Sequence, residues 1–160
     1  MQNRFHAGSE EGFVKGMNFK GVTQPKELIP NSQIGNWEFD GFGNLTVSSV
    51  DLKDWRMNAL VQFHELVEAI LCKRRGITDE QVTAFDALFE EERSKGLHSE
   101  SDEDGDDPRA PYRKEHFTAT NIERILALEL GVDWKEYEQR ILEVFNPPLQ
   151  ITCGGVQVDL

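Results

Sequence analysis

His64, Glu65 and Glu68 stand in the run "FHELVEAILCKRRGI", residues 63 to 77, inside a stretch that otherwise reads as a buried helix. With His64 at zero on a helical wheel, Glu68 falls at about 40°, Val61 at about 60°, Cys72 at about 80° and Glu65 at about 100°. The ionisable groups therefore cut a polar strip into the apolar side of the helix. A carboxylate buried without a partner is costly, or it protonates. One imidazole and two carboxylates side by side ask for a cation. His64 and Glu68, one turn apart, can reach a single ion from the same side.

A metal ion needs three or four protein ligands, so more must come from elsewhere. "EHFTATNIE" offers His116 and Glu123, which lie seven residues apart and nearly on one line of a helix. Glu123 is flanked by Ile122, Ile125 and Leu126, which argues against full exposure. His64, Glu68, His116 and Glu123 would form a mixed imidazole–carboxylate set suited to a divalent ion, Zn²⁺ favoured over Fe²⁺ or Mn²⁺. Asp86, between Phe85 and Leu88, is a further acid in an apolar setting. It is read as a ligand or as the acceptor that orients a ligand histidine. The plain alternatives are a hydrogen-bonded core histidine at 64, surface acids at 65 and 68, a first-turn histidine at 116 and a solvated acid at 86. His6 and His98 lie in polar loops and receive no role.

The elements that must position these groups are legible in outline. "NWEFDGFGNLTVSSV" alternates Trp37 and Phe39, turns at Asp40 to Asn44, and alternates again through Leu45 and Val47, the pattern of a β-hairpin. Asp51 or Asp54 caps a long helix over residues 55 to 75, which Gly76 stops. Thr78 or Asp79 opens a second helix with Val82, Phe85, Leu88 and Phe89 facing inward, ended by Gly96. A third spans Arg113 to Leu130, between Pro111 and Gly131. Asp133 caps a fourth, with Trp134, Tyr137, Ile141, Leu142 and Phe145 on one side. The expected fold is α+β and mostly helical, an N-terminal β-hairpin packed on about four helices. Residues 1–32 read as an irregular arm, 33–146 as a single domain and 147–160 as a tail.

The chain has 160 residues and a formal net charge of −12, with its acids concentrated in "SESDEDGDD", residues 99 to 107. That balance excludes phosphate-backbone binding, which needs clustered cations. Lys73, Arg74 and Arg75 form the one basic cluster, at a helix end where cations suit the macrodipole. The acidic loop fails the EF-hand pattern, because Asp107 stands at the glycine position and Arg113 at the glutamate position counted from Asp102. The loop is therefore read as solvated. Cys72 and Cys153 make no disulfide framework, and Cys72 reads as a buried thiol. No apolar run suits a membrane span or a signal peptide. A cytoplasmic protein without a membrane or nucleic-acid partner is expected.

"HELVE" resembles the zincin signature H-E-x-x-H, with Glu68 where the second histidine stands. The resemblance implies that His64 and Glu68 are zinc ligands and Glu65 the general base that takes a proton from the attacking water. The wider string "HELVEAILC…G…FD…PYRKEH…A…E…LGVDW…Y", from about 60 to 137, resembles small uncharacterised phage and prophage proteins with a minimal zincin-like arrangement. It implies a metal-site domain in a host cytoplasm.

Three functions stay open on these residues. One is a zinc-dependent, peptidase-like hydrolase, with the hairpin edge aligning an extended peptide or protein substrate. The second is a Mg²⁺-dependent nucleotide pyrophosphohydrolase resembling MazG, with Glu65 and Glu68 as its first acidic pair and Asp86 in the second, where Thr83 breaks the pattern. The third is a non-enzymatic acidic accessory or inhibitor protein with a structural metal.

Overall fold

Asp40 closes the hairpin turn. Its carboxylate accepts the backbone N–H groups of Phe42 and Asn44, and Gly43 adopts a left-handed φ of 83°. The strands on either side, β2 (Gly35–Phe39) and β3 (Leu45–Val50), are antiparallel, with Trp37 opposite Val47 and Phe39 opposite Leu45. Trp37, Leu45 and Val47 are buried on their shared face. The structure is a computed structural model that describes residues 16–30 and 33–145, together with the backbone of 151–153 and 156–158.

A third strand, β1 (Phe19–Gln24), pairs in parallel with β3 and gives the order β1-β3-β2. Over Phe19–Gln24 a strand stands where residues 1–32 were expected to form an irregular arm. "FKGVTQ" has no clean alternation, and its register is set by a strand far along the chain, so no local pattern announces it. Residues 1–15, with His6, lie outside the described residues, as does the side chain of Cys153.

Helix α1 (Trp55–Arg75) starts where Asp54 accepts the Arg56 backbone N–H and stops at Gly76, whose φ is 72°. It lies between the sheet and α3, and buries Met57, Leu60, Val61, Glu68, Ala69 and Cys72. Helix α2 (Asp79–Ser94) opens with a reciprocal capping box between Thr78 and Gln81. It buries Val82, Asp86 and Phe89, while Leu88, expected inside, is exposed. Helix α3 (Arg113–Glu129) buries Glu115, His116, Ala119, Glu123 and Ala127. Helix α4 (Trp134–Phe145) is capped by Asp133, which accepts the Glu136 N–H, and buries Tyr137. Two short strands, β4 (Ile151–Cys153) and β5 (Val156–Val158), pair with each other. The fold is α+β and mostly helical.

The acidic segment is largely exposed, as its composition implies, but it is held in place. Arg93 donates to the carbonyls of Ser99 and Asp102, Gln33 donates to Asp104, and a single 3-10 turn forms over Asp104–Asp106 with Gly105 buried inside it. These bonds tie the segment to α2 and Gln33, and Arg113 of α3 donates to the Asp106 carbonyl. Among the described residues no helix is long and apolar enough to cross a membrane.

Candidate metal centre

Two helices meet at three side-chain atoms. His64 Nε2 and Glu68 Oε2 come from adjacent turns of α1, and His116 Nδ1 comes from the first turn of α3. The three lie 3.2 Å (His64 to His116), 3.1 Å (His116 to Glu68) and 3.5 Å (His64 to Glu68) apart. His64, Glu68 and His116 form a group that could hold a metal ion.

The groups behind these atoms fix what faces inward. His64 Nδ1 lies 3.0 Å from Glu123 Oε2, and His116 Nε2 lies 3.0 Å from Glu103 Oε2. A carboxylate can only accept, so in the neutral rings the N–H sits on these outer nitrogens. The inner nitrogens then carry lone pairs. Glu68 Oε1 accepts the Trp37 indole N–H at 2.9 Å, which leaves Oε2 for the centre. Three lone-pair donors in a triangle repel each other unless a proton or a metal ion lies between them.

Each outer partner is itself held. The Tyr137 hydroxyl donates to Glu123 Oε1 at 2.5 Å, which ties α4 to the centre through Glu123 and His64. Gly105 presses its backbone against the His116 ring; a Cβ there would lie 2.2 Å from Cγ. Glu115, next to His116, lies buried with Arg75 Nε 2.7 Å from its Oε1, a second link between α3 and α1. Support of this kind, in which ligands are oriented by hydrogen bonds to their far side, is what metal-binding histidines and carboxylates require.

The charges follow from that geometry. Burial pushes the Glu68 carboxyl up, but the bonds from His116 and His64 outweigh it and hold it at about 2. Burial pushes both imidazoles down, yet Glu123 and Glu68 bring His64 well above the ordinary range, and Glu103 and Glu68 bring His116 to about 10. Glu65 differs. Burial first, and the neighbouring Glu68 charge second, raise its carboxyl to about 8.

Glu65 lies against Gly35 of β2, where an added Cβ would come within 2.4 Å of Oε1. It lines the same cavity, about 740 Å³, as His64, Glu68 and His116. Of the expected ligands, the structure brings those three together at the centre. Glu123 stands behind His64 as its hydrogen-bond partner, because its carboxylate meets Nδ1 and not the inward Nε2. Asp86 orients neither histidine. Its carboxylate takes the Tyr112 hydroxyl in a short hydrogen bond. Glu103, Trp37 and Tyr137 join the site without having been singled out for it. Trp37 and Tyr137 read as apolar face residues and Glu103 as a loop acid, and only the long-range contacts reveal their polar atoms.

No protein-family model, curated protein or solved structure matches the chain.

Proposed function

We propose that the protein is a phage-type zinc hydrolase that acts on an extended peptide, with His64, Glu68 and His116 as ligands and Glu65 as general base. The donor triangle carries this reading. Zinc takes nitrogen ligands at about 2.0–2.1 Å, so two ligands of a tetrahedral site stand about 3.4 Å apart. Spacings of 3.1 to 3.5 Å suit one face of such a site and leave the fourth position for water. Two imidazoles and one carboxylate also suit zinc better than Mg²⁺, which prefers oxygen donors and retained waters. That speaks for the hydrolase over the pyrophosphohydrolase.

A zinc ion supplies Lewis acidity and lowers the pKa of its water to about 7. Glu65 is half-buried beside the ligand group, and the burial and the Glu68 charge that raise its carboxyl in the metal-free chain would be opposed by a bound cation, which would leave it ionised and able to take a proton from the attacking water. Gly35 matters for access. Ile34 and Asp40 sit in hydrogen-bonded pairs with Val50 and Asn44, so the backbone groups of Gly35 and Trp37 turn away from β3. Those groups form an edge beside Glu65 on which a peptide strand can pair.

Zinc analysis of protein purified without chelator, followed by hydrolysis of a mixed peptide pool, tests the reading. Near-stoichiometric zinc, cleavage by the wild type, and retained zinc without cleavage in Glu65→Gln are expected. Zinc without cleavage of any peptide leaves the structural-metal protein. Absence of metal binding ends the proposal.

A further inference from the structure

The cavity lies on one side of the α1–α3 pair, and the opposite side is an apolar face. The two helices run antiparallel, since Arg75 of α1 meets Glu115 of α3 at one end and Arg56 reaches the Gly131 carbonyl at the other. Helical period puts Phe63, Val67 and Ile70 on one stripe of α1, and Thr118, Ile122 and Ile125 on one stripe of α3. Phe63 is 45 % exposed, Ile70 39 %, Ile122 37 % and Ile125 62 %, while Val67 and Thr118 are half-buried. None of the six lines the cavity, whose wall on α3 is His116, Thr120, Glu123 and Arg124.

A helix side that faces solvent normally carries charge. On this face charge stands only at the ends. Lys114 lies one turn before the α3 stripe and Glu129 one turn after it, at nearly equal distances on either side of Ile122. They are about 22 Å apart at 1.5 Å per residue, too far to pair within the chain. Neither has a side-chain partner among the described residues. Opposite charges mirrored about the middle of an apolar face make it self-complementary. A copy turned end for end sets Lys114 beside the partner's Glu129, twice, with the isoleucines meeting near the axis. A copy rotated about an axis along the helices instead brings Arg74, which ends the α1 stripe, toward the partner's Lys114, a like-charge contact. An unrelated partner needs no such mirrored charges; a twofold dimer does.

We propose that the outer faces of α1 and α3 form a twofold, antiparallel interface between two copies of this chain, a four-helix layer with its axis near Ile122. Burial of the apolar stripes supplies the affinity, and the pairs between Lys114 and the partner's Glu129 fix the direction. The interface needs neither metal nor substrate, so it stands apart from the hydrolase reading. It clamps the two helices that carry His64, Glu68 and His116 from the side away from the cavity, which stays open.

Sedimentation equilibrium of the full chain tests the interface. The wild type is expected to dimerise at micromolar concentration. Ile125→Glu puts a charge on each side of the axis and yields a monomer with the wild-type circular dichroism spectrum. Lys114→Glu alone and Glu129→Lys alone each raise the dimer dissociation constant about tenfold, since both ion pairs become like-charged. An equimolar mixture of those two variants restores the wild-type affinity, because one chain then has two acidic ends and the other two basic ones. The mixture decides the matter even where Ile125→Glu fails to fold. A wild-type monomer throughout the concentration range, a dimer unaffected by a folded Ile125→Glu, or a mixture that associates no better than its components overturns the proposal.

Discussion

Trp37 Nε1 donates to Glu68 Oε1 at 2.9 Å, from a strand to a helix 31 residues further along the chain. The bond occupies one oxygen of the carboxylate and turns the other toward His64 and His116. Glu68 thereby presents one oxygen to the two imidazoles.

Replacing Trp37 with Phe keeps a ring in the core and removes the N–H. Glu68 can then rotate and offer both oxygens. Zinc affinity should fall by about 10- to 100-fold, the usual cost of losing an outer-shell partner. Competition with a chromophoric chelator measures it. An unchanged affinity would show that Glu68 needs no such anchor.

Metal binding should expel protons. In chelator-treated protein the carboxylates around His64 and His116 overcome burial and raise both imidazoles, His116 to about 10. A folded pKa above the unfolded value stabilises the fold fully below about 6.5, and that contribution is lost as pH rises toward 10. The metal-free protein should therefore melt at lower temperature as pH is raised from 7 to 10, and the zinc form should not. Near pH 7, zinc binding should release about two protons, read by calorimetry in buffers of different ionisation enthalpy. Apparent affinity should rise with pH.

Gly105→Ala places a methyl 2.2 Å from His116 Cγ, so the ring or the loop must shift. Overpacking of this kind costs about 1–3 kcal/mol. Thermal denaturation should register it, and zinc affinity should fall with it if the displaced His116 ring supplies a ligand nitrogen as proposed.

Tyr137→Phe leaves Glu123 Oε1 buried without its donor. An unsatisfied buried acceptor costs about 1–3 kcal/mol. The loss should appear in urea unfolding of the metal-free protein. Zinc affinity should also weaken, since Glu123 holds His64 at Nδ1.

Where the chain advertised its structure, local chemistry did the advertising. Asp54, Gly76 and the capping pair Thr78 and Gln81 bound α1 and α2 because caps act within a few residues. The polar strip on α1 is visible because helical period puts His64 and Glu68 on one side. The same reasoning put His116 and Glu123 on one line of α3, yet it cannot say which atom of each meets His64. That choice was made by neighbours 52 and 59 residues away. Glu103 went unnoticed because it stands in a largely exposed acidic segment, and only the segment's bonds to Arg93 and Gln33 bring its carboxylate to the His116 ring. β1 went unnoticed because its partner strand, not its own residues, defines its register.

Gly105 has a consequence beyond this chain. Most of the acids around it can be exchanged for other polar groups without touching an imidazole, whereas the residue beneath the ring has no freedom to acquire a side chain. In distant kin the acidic stretch should drift in length and charge while one glycine stays fixed ahead of the ligand histidine. That fixed pair would separate true relatives from the many chance occurrences of a five-residue helical motif.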